Sequence, residues 1–261
     1  MRRTLTGGVA VFAAACLALS GCSPKTDAGG TAAPSSAPAE TKLDPSALLP
    51  QSLKNIKNDS FKFTSTTEVN GETITTTGAF DLANKRGTMT LEMGDLGSPI
   101  EIRVIGDDMY MSGYPGVDGW VYMDLSEITG GNTFADAANP VANADFLLAA
   151  SDDVKEVGDG KYEGTLDMKK YLDEYATEEQ KQQLAEALEA AGPDAMKVPF
   201  TATVDDEGRL TELSMTMTMD TGGGPVTMKQ TVKYSDFGTK VEVEAPPASE
   251  VHEVTDGLYE N

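Results

Sequence analysis

The chain has 261 residues, with 42 Asp and Glu against 20 Lys and Arg and a formal net charge of −22. That balance excludes nucleic acid as a partner, because phosphate binding needs clustered Lys and Arg, while the acidity itself keeps a domain soluble and specifies no ligand. Two cysteines and one histidine leave little material for thiolate, disulfide or His-based metal chemistry, and no cofactor is expected.

The chain opens Met1-Arg2-Arg3-Thr4, and an almost wholly small or apolar run follows from Gly7 to Leu19. A basic start and a short apolar run read as a secretory signal peptide, and the run is too short to span about 30 Å of hydrocarbon. It ends in Leu19-Ser20-Gly21-Cys22, the lipobox pattern, in which small residues enter a peptidase cleft and the thiol takes up a diacylglyceryl group. Residues 1–21 are expected to be removed. Cys22 is the expected lipid attachment site, palmitate-type acylation completing an anchor at the extracytoplasmic face of the cell membrane. Cys16 leaves with the signal peptide, so the mature chain has no free thiol, and losing Arg2 and Arg3 takes its charge from −22 to −24. Residues 22–49, rich in Ala, Pro, Ser, Thr and Gly, are expected to form a disordered tether. One folded domain is expected over 50–246, and an acidic, loose tail over 247–261.

Within the domain, Ser52–Lys57 predicts a short helix. Period-two alternation then dominates. Phe61, Phe63, Ser65, Thr67 and Val69 share one strand face, Asn70-Gly71 is a two-residue hairpin signal, and Ile74, Thr76, Gly78 and Phe80 alternate along the return strand. Met89, Leu91 and Met93 form one face of a third strand. Ile100, Ile102 and Val104 mark a fourth, Met109-Tyr110-Met111 a fifth and Trp120 to Leu125 a sixth, an antiparallel meander.

Residues 126–151 change character, with Phe146, Leu147 and Leu148 in a predicted helical stretch. A strand near Lys161–Asp167 precedes the clearest helix, which opens at Thr177 with a capping box to Gln180 and stops at Gly192-Pro193. Leu184, Ala187, Leu188 and Ala191 share its apolar stripe. A second strand set follows: Val198 to Val204, a turn at Asp205–Gly208, Leu213 to Met219, and Val226 to Tyr234 running on into Val241 and Val243. The fold class expected is α+β, a large twisted antiparallel sheet (a half-barrel) with helices covering the concave face.

Several of these features together carry a family resemblance. They are the lipobox with its Pro/Ala/Ser tether, the Ser60-Phe61-Lys62-Phe63-Thr64 strand after a short helix, the run Ile102 to Met111, Gly119-Trp120-Val121-Tyr122-Met123-Asp124-Leu125, the helical insertion and the Asp206-Glu207-Gly208-Arg209-Leu210 hairpin. Over about residues 50–246 the chain resembles the actinobacterial LppX/LprG/LprA/LprF lipoproteins, which share their architecture with the LolA/LolB carriers. The resemblance implies a half-barrel whose concave face holds the acyl chains of a lipid or lipoglycan, for carriage within the cell envelope.

The methionines bear on such a cavity from the residues alone. Eight lie on strand patterns, Met89, Met93, Met109, Met111, Met215, Met217, Met219 and Met228. Their flexible, polarizable side chains suit irregular apolar partners better than they specify a unique core. The candidate cavity residues are Met89, Leu91, Met93, Ile100, Ile102, Val104, Met109, Met111, Phe146, Leu147, Leu184, Leu188, Met215, Met217 and Met219. A plain core that happens to use Met is the other reading. It would make the chain a non-enzymatic envelope sensor or interaction module whose acidic helix 177–191 meets a basic protein partner.

Enzyme chemistry finds little support. His252 stands alone in the acidic tail, where no scaffold holds it for catalysis. The carboxylate pairs Asp107-Asp108, Asp152-Asp153 and Asp205-Asp206 each abut a turn signal, where Asp is favoured for local backbone bonding. No EF-hand spacing is present, and Gly222-Gly223-Gly224 reads as a turn, not a phosphate loop. Trp120 reads as a core or loop anchor. No metal site is expected.

Overall fold

The computed structural model describes residues 44–253 apart from 70, 95–96, 114–115, 128–139, 142–143, 145–147, 177, 179–180, 182–187, 189–191 and 221–223. The signal peptide, Cys22, and the candidates Phe146, Leu147 and Leu184 lie outside the described residues, as does the side chain of Met219. A helix α1 (Pro45–Lys57) comes first. The strands follow as β1 (Ser60–Val69), β2 (Glu72–Asp81), β3 (Arg86–Glu92), β4 (Ile100–Ile105), β5 (Asp108–Ser112), β6 (Trp120–Asp124), β7 (Ser151–Gly158) and β8 (Lys161–Asp167). A second helix α2 (Met168–Glu174) leads on to β9 (Lys197–Val204), β10 (Leu210–Asp220), β11 (Pro225–Ser235) and β12 (Val251–Glu253). All twelve strands form one open sheet in the order β12-β6-β5-β4-β3-β2-β1-β11-β10-β9-β8-β7. The two meanders expected from the alternation are joined by antiparallel pairing of β1 with β11, where Phe63 faces Tyr234.

The domain starts earlier than the expected boundary at residue 50. Asp44 caps α1, its carboxylate accepting from the Ser46 N–H at 2.9 Å, and Pro45 takes the first helical position, where its missing N–H costs nothing. Leu49, Leu53 and Ile56 recur at helical spacing on one face, all fully buried, and α1 packs against β7, β10, β1 and β9. Asn55 Nδ2 ties it to the β9–β10 hairpin by donating to the Gly208 carbonyl at 2.7 Å. Residues 45–49 therefore belong to the fold, not the tether.

Two strands lacked a clear local signal, and a third ends sooner than its alternation suggests. β7 is an edge strand whose charged residues Asp152, Asp153, Lys155 and Glu156 hide any alternation, and bulges break its register with β8. β11 does not run on through Val241: Asp236 and Gly238 take positive φ (51° and 75°) and turn the chain off the sheet. The segment beyond crosses to β4, where Arg103 Nη1 donates to the Glu244 carbonyl at 3.1 Å. It ends in β12, paired parallel with β6. The expected loose tail is thus ordered through Glu253, and parallel pairing of so short a strand has no local sequence signature.

One core cluster gathers α1, the sheet, α2 and Val141, Leu148 and Leu188 from the helical insertion. Within it Tyr234 is 3% exposed and stands edge-on to Phe61, centroids 5.6 Å apart. Burial pushes its phenol pKa up, and among the described residues the hydroxyl has no hydrogen-bonding partner. Tyr234→Phe is therefore expected to raise stability by about 1 kcal/mol in urea denaturation, since it removes a desolvated group that gains nothing. A loss of that size would show that the hydroxyl is bonded after all.

Candidate functional site

Residues paired directly across neighbouring strands point to the same face of a sheet. On the inner face one row runs Phe61, Phe80, Gly87, Val104, Met109, Met123 across β1 to β6, and the next runs Phe63, Gly78, Met89, Ile102, Met111, Val121. These rows are filled. Aromatic rings lie over the glycines of the neighbouring strand, so a Cβ on Gly87 would stand 2.2 Å from Phe80 Cδ1, and one on Gly78 2.5 Å from Phe63 Cε1. The candidates Ile102, Val104, Met109 and Met111 are at most 6% exposed. Ile102, Met109 and Met111 are packed into the core cluster, which corrects their expected place beside an open cavity, whereas Val104, with Phe80, Leu82, Leu125, Lys85, Arg86 and Asp107, lines a depression of about 290 Å³ whose wall is part apolar and part charged.

Toward the other strand ends the face opens. One row reads Ile74, Thr67, Gln230, Met215, Phe200 and the next Val69, Met228, Met217. Met215, Met217 and Met228 are half-buried. With Leu166, Met168, Val198 and Gln230 they line a pocket of about 170 Å³, in which Gln230 is the one polar lining residue. Four of the seven lining residues are methionines, so the wall can remould around an occupant. An apolar cavity of roughly 150 Å³ takes a six-carbon ring, while drug-sized ligands need about 300–1,000 Å³. The pocket therefore accommodates the end of an alkyl chain, less than the several hundred Å³ of an enclosed lipid site. A 460 Å³ depression on the opposite face is lined by Glu163, Thr201, Ser214, Thr216 and Lys229 among others, which is too polar for acyl chains.

The strand-to-helix junction at Leu166-Asp167-Met168 sets one wall. Asp167 caps α2, its carboxylate accepting from the Lys170 N–H at 3.1 Å and from Lys197 Nζ at 2.6 Å. The Lys197 hydrogen bond, with the Lys170 N–H, holds the Asp167 pKa below the ordinary carboxylate range. A carboxylate with a depressed folded pKa contributes stability above its unfolded value, about 3.9, and that contribution is lost as pH falls through the lower folded value. We therefore expect acid to loosen this wall below about pH 4. Asp167→Asn should be less stable than the parent at pH 7, with the gap closing by pH 2 in thermal melts. An unchanged gap would remove the ion pair from the explanation.

Met215 and Met217 are the sequence candidates that line the pocket. Leu188 is buried in the core cluster, against which Met89 and Ile100 pack half-buried, and Leu91 and Met93 are half-buried as well. Met228 shared the Met alternation. Leu166, Met168, Val198 and Gln230 were missed, because nothing in sequence brings β8, α2 and β9 beside β11. His252 lies on β12 with Nε2 3.0 Å from the Asp118 carbonyl oxygen. The carboxylates Asp107, Asp152 and Asp205 each meet a Lys or Arg, and Arg103 stacks over Trp120 at 4.3 Å. Among the described residues no group of three or more His, Cys, Asp or Glu could hold a metal ion, and no helix is long and apolar enough to cross a membrane.

No protein-family model and no curated protein matches the chain. Among solved structures it is similar to a LolA superfamily protein from Nitrosomonas europaea, at 12% identity over 84% of this chain and 99% of that one, with a TM-score of 0.29. It is also similar to a DUF1329 family protein from Desulfovibrio piger, at 11% identity over 77% and 93% of the two chains and a TM-score of 0.28. A chain of the Pseudomonas aeruginosa MucA/MucB complex matches at 12% identity over 74% and 94%, with a TM-score of 0.27. Likeness this low brings no ligand or partner to the present chain. The open antiparallel sheet rests on its own strand pairings.

Proposed function

We propose that the protein is a lipid-binding component of a bacterial cell envelope, tethered through Cys22 at the extracytoplasmic face, that holds the acyl end of a lipid or lipoglycan against the inner face of its sheet. No bond is made or broken. The observation that carries this reading is the half-open pocket with four Met among its lining residues. At about 0.8 kcal/mol per methylene, a six-carbon end buried there gains about 5 kcal/mol, enough to hold a chain whose remainder lies along the open face. The finer likeness to the LppX/LprG lipoproteins belongs to the same reading and rests on the lipobox, tether and strand order. Native mass spectrometry of the full chain extracted from membranes is expected to find lipid adducts that exchange with added acyl probes. A protein that emerges empty and takes up no probe contradicts the proposal.

A second reading has one observation in its favour, the close packing of Phe61, Phe63, Ile102, Met109 and Met111 on the inner face from β1 to β5. There the sheet is a scaffold for a protein partner, and partner capture would be salt-sensitive and indifferent to lipid.

A further inference from the structure

The apolar inner face carries two cross-strand pairs of uncharged polar side chains for which the packing gives no reason, Ser65 with Thr76 and Thr67 with Gln230, and the second reaches the Met pocket. Gln230 lines the Met pocket and pairs across the strands with Met215 on one side and Thr67 on the other. Thr67 in turn faces Ile74. Both side chains are half-buried, and among the described residues neither has a hydrogen-bonding partner. A half-buried amide flanked by methionines keeps only part of its access to water and, among the described residues, gains no hydrogen bond from the protein. Apolar pockets commonly hold such a group where it orients a ligand.

We infer that Gln230 and Thr67 determine specificity, reading an uncharged hydrogen-bonding group, an ester carbonyl or a hydroxyl, on an amphiphile whose alkyl end occupies the Met pocket. This rests on the acyl-binding reading above and narrows it. The charges decide against an ionised headgroup. In the two rows that flank the pair every inner-facing residue of β1, β2, β10 and β11 is uncharged except Glu72, an anion exposed at the hairpin beside Val69. The nearby cations are engaged elsewhere: Lys197 with Asp167, Lys170 with Asp152 and Lys169 with Asp173. The stretches 128–147 and 182–191 contain no Lys, Arg or His, so they supply no counter-ion either. A carboxylate or phosphate placed against Gln230 would be desolvated beside an amide with no positive charge to meet it.

The test compares dodecane-chain probes that differ only at the head: monododecanoylglycerol, dodecanoate at pH 8 and dodecane itself. Binding of each to the full chain is measured by displacement of a fluorescent acyl probe. The parent is expected to prefer the glycerol ester over dodecanoate by roughly tenfold or more. Gln230→Leu and Thr67→Val, each judged folded by its denaturation curve, should lose most of the ester's advantage over dodecane while binding dodecane at least as well. Parent protein that binds dodecanoate as tightly as the ester, or variants that keep the parental preference, would overturn the specificity assignment and leave acyl binding standing. Failure of every probe to bind, dodecane included, would overturn both.

Discussion

Phe80→Ala is expected to remove about 3–5 kcal/mol of stability, the usual range for deleting a fully buried aromatic ring. Phe80 is 1% exposed, and its ring covers Gly87 on β3, so near that no Cβ fits between them. It also meets Phe63, ring centroids 5.9 Å apart, and Phe63 in turn covers Gly78. Truncation leaves a ring-sized void bordered by a glycine, which has no side chain to fill it, so collapse is limited and the cost falls at the high end. Against a domain stability of about 5–15 kcal/mol, chemical denaturation should show a large fall in midpoint. A loss below about 1 kcal/mol would mean that the inner-face rows of β1 to β4 are not the packed core described above.

Met217→Glu should have its effect on binding instead. Met217 is half-buried at the pocket wall and pairs with Met228, so a polar chain of about the same length can be accommodated and folding stability should move little. In the pocket the new carboxylate must either lose its water or turn outward into the chain's path, and the Lys of α2 and β9 are already paired with Asp. Acyl-probe affinity at pH 8 is expected to fall by roughly thirtyfold or more, whereas Met217→Leu keeps the apolar wall and should bind within about threefold of the parent. Equal affinities for parent and Met217→Glu would place the acyl site elsewhere on the protein.

Strands were legible wherever one face meets the core and the other meets water. β1, β2, β4 and β9 alternate cleanly, and Asn70-Gly71 fixed the first hairpin. Long-range relations were not legible. The β1–β11 pairing that fuses the two meanders joins residues far apart in sequence, and no local pattern encodes it. α1 began earlier than expected because the Asp44-Pro45 start and buried Leu49 sit in a stretch whose Pro and Ser content reads as linker. β12 is too short to announce itself, and α2 offered only the Asp167 cap. The methionine reading was half informative. Alternation put the methionines of β3, β5, β10 and β11 on one face, but could not tell that Met109 and Met111 would be buried in the core cluster while Met215 and Met217 stayed half-open. That distinction is a matter of register and long-range packing that the chain settles only on folding.

The most direct measurement is a crystal structure of the full-length protein with a dodecanoyl ester brominated at the end of its chain, the bromine located by anomalous scattering. Acyl binding at the Met-lined pocket places the bromine among Met168, Met217 and Met228, with the ester near Gln230. Ligand-saturated crystals in which those side chains close on one another, and the bromine lies on another surface or nowhere ordered, would contradict it.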